Sequence, residues 1–337
     1  MNLNFTRTIL WFSLLAIANG LHAQDIHFSQ FYDAPLYRNP ALAGIVNGDV
    51  RVQTVYRSQW NTVANAYTTG SVNAEYKLPV AADDYLTLGM EVFYDKAGST
   101  NFRSTHLLPA VNYHKSLSTE KNIYLSAGFM GGWVERRIDR TKMTTNSTYE
   151  GIGDGEVNLQ PRNTYFDGTA GVSLNAGLNN NPENNLVLGV AYHHFNRPKN
   201  SFFNNTTIIV SPKWVYSADI KLALNEYSSV TIYSDHTEQA NYRETMTGLL
   251  FGLKVGNYVD EPDYILSAGA FMRINDAVIP TIKMQYQQLA VSLSYDVNIS
   301  RLASTSLGRG GFEFSASYVG FVDRYLSSKD ATKCPRF

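Results

Sequence analysis

Leu289 to Ser300 reads LAVSLSYDVNIS, with Leu289, Val291, Leu293, Tyr295, Val297 and Ile299 in one row and Ala290, Ser292, Ser294, Asp296, Asn298 and Ser300 in the other. A period of two sustained over this length lays the apolar side chains on one face of a pleated ribbon and does not fit a 3.6-residue helix. Soluble strands usually stop at about 5–6 residues, whereas a tilted strand crossing a bilayer needs roughly 9–11. The stretch therefore predicts a strand lying between an apolar and a polar medium, and the fold depends on how often it recurs.

It recurs along the chain. Val72, Ala74, Tyr76 and Leu78 alternate with Ser71, Asn73, Glu75 and Lys77, and Leu249, Phe251, Leu253 and Val255 oppose Gly248, Gly252 and Lys254. Runs of this kind fall near 49–58, 67–78, 85–95, 102–116, 121–137, 164–177, 185–196, 213–224, 228–238, 242–256, 263–274, 278–288, 289–299 and 312–321. About fourteen strands, an even number, predict an all-β fold, a transmembrane antiparallel β-barrel. The three longest connections, 138–163, 197–212 and 300–311, all fall on one side, as expected of a barrel with short periplasmic turns and long outer loops. Pro280 reads as a strand start, and Pro109 as an interior proline that disturbs its register.

The bulk properties agree. The 337 residues carry a formal net charge of −1 with no basic run, which argues against nucleic acid as a partner. No apolar run after Ala23 approaches the ~18 residues of a membrane helix. Mean hydropathy is −0.22, compatible with a barrel because half of each strand faces a polar interior. Residues 1–23, with Arg7 before the apolar run Ile9 to Ala18, have the outline of a signal peptide, leaving Gln24 as the first mature residue. The expected divisions are a periplasmic segment at 24–48, the barrel at 49–321 and a tail at 322–337. The single cysteine, Cys334, excludes an internal disulfide.

Candidate functional groups lie on the polar rows. Arg51, Arg57, Glu75, Lys77, Glu91, Asp219, Lys221, Glu244, Lys254, Lys283, Asp296 and Glu313 are expected in the lumen. Mixed charges there either cross-link into a packed interior, line a water-filled passage, or grip a partner through charge-assisted hydrogen bonds. His106, His114, His193, His194 and His236, with Ser104, Ser234 and Asp235 nearby, raise a rim hydrolase, but no G-x-S-x-G elbow is present. His193 and His194, adjacent on a strand, are expected on opposite faces. Gly151 to Glu156 lacks the Lys-Ser/Thr of a phosphate loop and the ligand spacing of a calcium loop, and reads as an outer loop. Trp60, Trp133, Trp214, Tyr94, Tyr113, Tyr192 and Phe321 suit the aromatic girdles of a barrel. No cofactor or metal motif is read.

Gln24 to Gly44, QDIHFSQFYDAPLYRNPALAG, has no alternation and ends in a turn built on Asn39, Pro40 and Gly44. This segment resembles the signature of the PorP/SprF family, outer-membrane proteins of the type IX secretion and gliding apparatus of Bacteroidetes-type bacteria. The resemblance continues in Arg57-Ser58-Gln59-Trp60, in Asp276 to Pro280, in Ser294-Tyr295-Asp296-Val297-Asn298, in Gly308 to Glu313, and in Cys334-Pro335-Arg336-Phe337. It implies a non-enzymatic barrel in the outer membrane of a Gram-negative bacterium, with a periplasmic N-terminus. Its implied partners are outer-membrane lipid and a large secreted surface adhesin, captured by its C-terminal sorting domain. An accessory linked to the periplasmic ring and motor of the secretion machine is the alternative implied role, with a general diffusion porin or a rim hydrolase as readings from other classes.

Overall fold

A computed structural model describes residues 25–59, 67–81, 83–156, 158–179, 181–256, 262–300 and 309–322. The proposed signal peptide, Trp60 and the ending with Cys334 and Pro335 lie outside the described residues. Fourteen strands form a closed antiparallel ring, each paired with its neighbours in sequence and β1 with β14. The first seven are β1 (Val50–Gln59), β2 (Tyr67–Ala81), β3 (Asp84–Ala97), β4 (Phe102–Ser118), β5 (Ile123–Arg137), β6 (Arg162–Leu178) and β7 (Asn181–His193). The rest are β8 (Lys213–Ala223), β9 (Ser228–Gln239), β10 (Tyr242–Val255), β11 (Tyr264–Arg273), β12 (Ala277–Tyr286), β13 (Leu289–Asn298) and β14 (Arg309–Gly320). Closure leaves no unpaired edge, the condition for backbone in a bilayer. No described helix is long and apolar enough to cross a membrane.

The alternation sorts the side chains as expected. In β13, Ser292, Ser294 and Asp296 are buried, while Leu293 and Tyr295 are 39% and 42% exposed on the outer wall. The same outer exposure runs through Leu88, Val92, Phe129, Val172, Leu249 and Phe251, making an apolar band around the ring. The strand ends that flank the long connections 138–161, 194–212 and 299–308 lie at one end of the ring, here the long-loop rim. The opposite end is the short-turn rim.

Three features depart from the expected pattern. Pro280 is the fourth residue of β12 and points outward, so it is not a strand start. The β12–β13 pairing skips from Val278↔Val297 to Thr281↔Ser294 around it, because proline supplies no ladder donor. Beside this gap the β13–β14 register shifts between Tyr295 and Val297, and such a bulge re-aims a side chain. Third, residues 25–49 do not extend away from the barrel as a separate segment. They pass through the inside of the ring, and Phe28, Leu36, Arg38, Asn39, Ala41 and Ile45 are buried there.

This plug contains a short 3-10 turn, Phe31–Asp33, a single helical turn α1, Pro35–Arg38, and a second 3-10 turn, Pro40–Leu42. Pro35 and Pro40 each start a turn, where the missing N–H costs nothing. Asn39 is held extended before Pro40, which ends α1. Its side-chain oxygen accepts from the Ala41 N–H, capping the next turn.

Candidate functional site

The lumen is bonded to its own N-terminal segment along the whole length of the plug. Nearest the long-loop rim, the Asp25 carboxylate lies 2.7 Å from His194 Nε2 and 2.9 Å from Lys213 Nζ. His194 follows β7 with φ of +56°, and this left-handed turn sends its ring inward. Nδ1 then meets Asp167 at 2.8 Å. His193 also faces inward and bonds the Arg38 carbonyl through Nε2 at 3.2 Å. The two histidines therefore share the interior, and the expectation of opposite faces fails because His194 is not part of the strand. Burial disfavours charge on His194, but Asp25 and Asp167 outweigh it and push its pKa up to about 9. Burial likewise opposes ionisation of Asp25, yet Lys213 and His194 hold its carboxyl well below the usual range.

Next along the plug, the backbone N–H groups of Ser29 and Gln30 donate to the Glu313 carboxylate at 2.8 and 2.6 Å. Ser29 Oγ donates to Asp296 at 2.7 Å. Arg57 bridges Asp296 and Glu313 at 2.8 and 3.1 Å, and Arg273 reaches Asp296 at 3.1 Å. The β13–β14 bulge thus sits where the Asp296 carboxylate must be aimed at this cluster. Asp33 takes Lys283 Nζ at 2.7 Å and Ser315 Oγ at 2.6 Å.

Arg38 then places one edge of its guanidinium on Asp219, at 2.5 and 2.6 Å, and its Nε on Asp235, at 2.7 and 2.8 Å. Two carboxylates on a planar fork are the geometry arginine satisfies and lysine does not. The Asn112 amide donates to the Ala41 and Ala43 carbonyls. Gly44 N–H donates to Glu75, which Arg51 also bonds, and Lys77 reaches the Val46 carbonyl at 2.7 Å.

Apolar contacts fill the space between these anchors. Tyr32 stacks between Tyr233 and Phe271, with ring centroids at 4.7 and 5.0 Å. Tyr37 lies flat on Phe93 at 5.3 Å. Leu36 is fully buried among Ala43, Leu108, Ala110 and Met130, and removing such a side chain from water contributes roughly 2 kcal/mol. Room for the Asn39-Pro40-Ala41 backbone comes from missing side chains. A Cβ on Gly171 would stand 2.0 Å from Asn39 Oδ1, and one on Gly128 2.5 Å from the Ala41 nitrogen.

The sequence-predicted lumen set is thereby placed. Arg51, Arg57, Glu75, Asp219, Asp296 and Glu313 hold the plug. Glu244 faces His27 and Arg273, each at 3.7 Å. Glu91 accepts from Ser71, and Lys254 pairs with Glu183 at 2.5 Å. Lys221 and Lys254 line a cavity of about 250 Å³ between the plug and the short-turn rim. Of the motif residues, Asn39, Pro40 and Gly44 shape the plug, and Asp276 pairs with Arg273 at 2.8 Å in the β11–β12 turn. Pro280 and Tyr295 lie on the outer wall beside the bulge.

The plug residues Asp25, Ser29, Gln30, Asp33 and Arg38 are functional groups the strand pattern does not single out. Their signal is a non-alternating segment rich in Phe28, Phe31, Tyr32, Leu36 and Tyr37, which is unusual for a solvated lead-in. Above the plug, a cavity of about 550 Å³ opens toward the long-loop rim, lined in part by His27, Asp95, His106, Arg136, Tyr165 and Asp167. In it Ser104 Oγ lies 2.8 Å from His106 Nε2. His114 is enclosed elsewhere, between Thr87 and Ser126. No group of His, Cys, Asp and Glu able to hold a metal ion occurs among the described residues.

The outer loop at 138–161 is folded around Arg140, which bonds Asp154 and the carbonyls of Glu156 and Leu159. Gly151, Gly153 and Gly155 supply its positive φ angles.

A closed ring of fourteen antiparallel strands, apolar outside and filled by its own N-terminal segment, defines an outer-membrane β-barrel protein. The chain matches the type IX secretion system membrane protein PorP/SprF family over residues 21–318 and belongs to that family. Among solved structures it is similar to a deltaS2S3 mutant of the TodX monoaromatic hydrocarbon channel, at 12% identity over 85% of this chain and 94% of that one, TM-score 0.51. It is also similar to the Pseudomonas putida toluene transporter TodX, at 12% identity over 85% and 93% of the two chains, TM-score 0.50. At such identity the likeness concerns the fold alone. No curated protein sequence matches the chain.

Proposed function

We propose that this barrel serves type IX secretion as a non-enzymatic anchor, holding the C-terminal sorting domain of a large secreted surface adhesin at its long-loop mouth. The reading rests on one observation: Arg51, Arg57, Glu75, Asp219, Asp296 and Glu313 of the lumen wall are spent on the plug, from Glu313 at Ser29 to Glu75 at Gly44. A lumen so occupied favours neither a diffusion pore nor capture of a partner deep inside. What remains for a partner is the long-loop rim and the cavity of about 550 Å³ beneath it. The Ser104–His106 pair supports no hydrolase, because among the described residues no carboxylate bonds His106 to complete the relay that activates a hydroxyl.

With the short turns toward the periplasm, the usual arrangement in such barrels, the mouth faces outward. Asp25, at the long-loop end of the plug, then lies toward the outside, opposite to the periplasmic N-terminus read from the sequence. The test is gentle extraction of the barrel from its native membrane, followed by identification of bound chains. A large surface protein should co-purify, and replacing residues 143–156 by a glycine-serine linker should lower its recovery at least tenfold. Recovery of periplasmic secretion components alone would replace the anchor with the ring-linked role.

A further inference from the structure

The outer wall carries a row of cations that the plug and the proposed anchoring do not use. Lys96 of β3 pairs with Arg103 of β4, Arg103 with Arg137 of β5, and Arg137 with Arg162 of β6. All four side chains leave the barrel on its outer side, in phase with Val92, Leu107, Trp133 and Phe166 two rows below. Strands about 4.8 Å apart give the row a span of roughly 14 Å. The lower row is an apolar and aromatic girdle, with Trp133 60% exposed and set edge-on to Phe166. Four residues along a strand is about 13 Å, or about 10 Å along the membrane normal at a strand tilt of roughly 40°, so the cations stand at the height of lipid headgroups on the long-loop side.

Three successive like-charge pairs directly opposite one another are unfavourable by themselves. Glu135, between the two rows, bridges Arg137 and Arg162. Asp139 lies within the field of Arg103 and 3.9 Å from Lys142. Two carboxylates leave these cations in excess. On the other side of the same rim, outward Glu238 and Arg243 pair with each other, so the imbalance is local.

We propose that Lys96, Arg103, Arg137 and Arg162 form a binding site for a phosphorylated lipid headgroup in the leaflet at the long-loop rim. Guanidinium groups donate two parallel N–H bonds to a phosphate, and several at one level suit a lipid bearing more than one phosphate. Acyl chains of the same lipid would lie against Leu107, Trp133 and Phe166.

The test is native mass spectrometry of the full-length barrel in zwitterionic detergent with diphosphorylated lipid A as probe, folding being checked by heat-modifiable gel migration. Lipid retained by the wild-type barrel should fall at least tenfold in the triple variant Arg103→Gln, Arg137→Gln, Arg162→Gln, and stay unchanged in Arg243→Gln. Dephosphorylated lipid A should be lost from the wild type to the same degree. Equal retention by the folded triple variant, or of the dephosphorylated lipid, would overturn the site. Complete displacement by millimolar inorganic phosphate would reduce it to a free-anion site and overturn the lipid assignment.

Discussion

Arg38 holds the middle of the plug because its guanidinium satisfies Asp219 and Asp235 together while its carbonyl accepts from His193. Removing one partner from a buried charge cluster leaves the others unpaired, at a cost of about 3–5 kcal/mol. Arg38→Met should therefore loosen the plug by that amount, read as faster amide exchange over Phe28 to Gly44. Adding Asp219→Asn and Asp235→Asn should recover most of the loss; no recovery would show that the arginine acts through packing alone. Asp25 and His194 set a pH window at the same scale. The His194 pKa is raised from 6.5 to about 9, so its contribution is complete below 6.5 and lost as pH rises through 9. The lowered pKa of Asp25 makes its contribution complete above about 4 and lost in stronger acid. Exchange of residues 25–31, corrected for its intrinsic pH dependence, should accelerate between pH 8 and 10. That step should vanish in His194→Gln.

At the scale of elements, strand and plug are fitted to one another by irregularities. The wall gives way at Gly128 and Gly171, where the Asn39-Pro40-Ala41 turn enters, and it bulges at Asp296, where the carboxylate meets Ser29. Proline in a transmembrane strand is tolerated in a similar manner. Pro109 lies where the β4–β5 pairing skips from Leu107↔Trp133 to Ala110↔Met130, beside Gly131 and Gly132, and a Cβ on Gly132 would be 2.0 Å from the Leu107 carbonyl oxygen. The missing side chain allows backbone to approach where a ladder bond is lost. The plug as an element also closes the lumen. Replacing residues 26–44 by a glycine-serine linker of equal length should create conductance steps in planar bilayers where the intact barrel gives almost none. A silent barrel after that replacement would mean that something other than the plug seals it.

Across the whole molecule, two polar networks share one barrel wall, an inner one closed on the plug and an outer one open to the membrane surface. The strand count, the two-faced wall and the side bearing the long loops were legible in the sequence, because alternation and turn residues act over a few neighbouring positions. LAVSLSYDVNIS already assigned Asp296 to the polar face. It did not reveal that a bulge turns this carboxylate onto Ser29, 267 residues away in the chain. The enclosure of 25–48 was legible only as an aromatic content unusual for a solvated lead-in, since a segment without periodicity does not say what surrounds it. Its aromatics find Phe93, Tyr233 and Phe271 only after the ring closes around them. The cation row is the same case outside the barrel: Lys96, Arg103, Arg137 and Arg162 are scattered in sequence and meet through strand register alone. The sequence by itself determined which residues are strand and which face each presents, because both follow from backbone geometry one or two residues long. The tertiary structure alone decided which polar groups meet and what fills the lumen, because those depend on closure, register and packing between segments hundreds of residues apart.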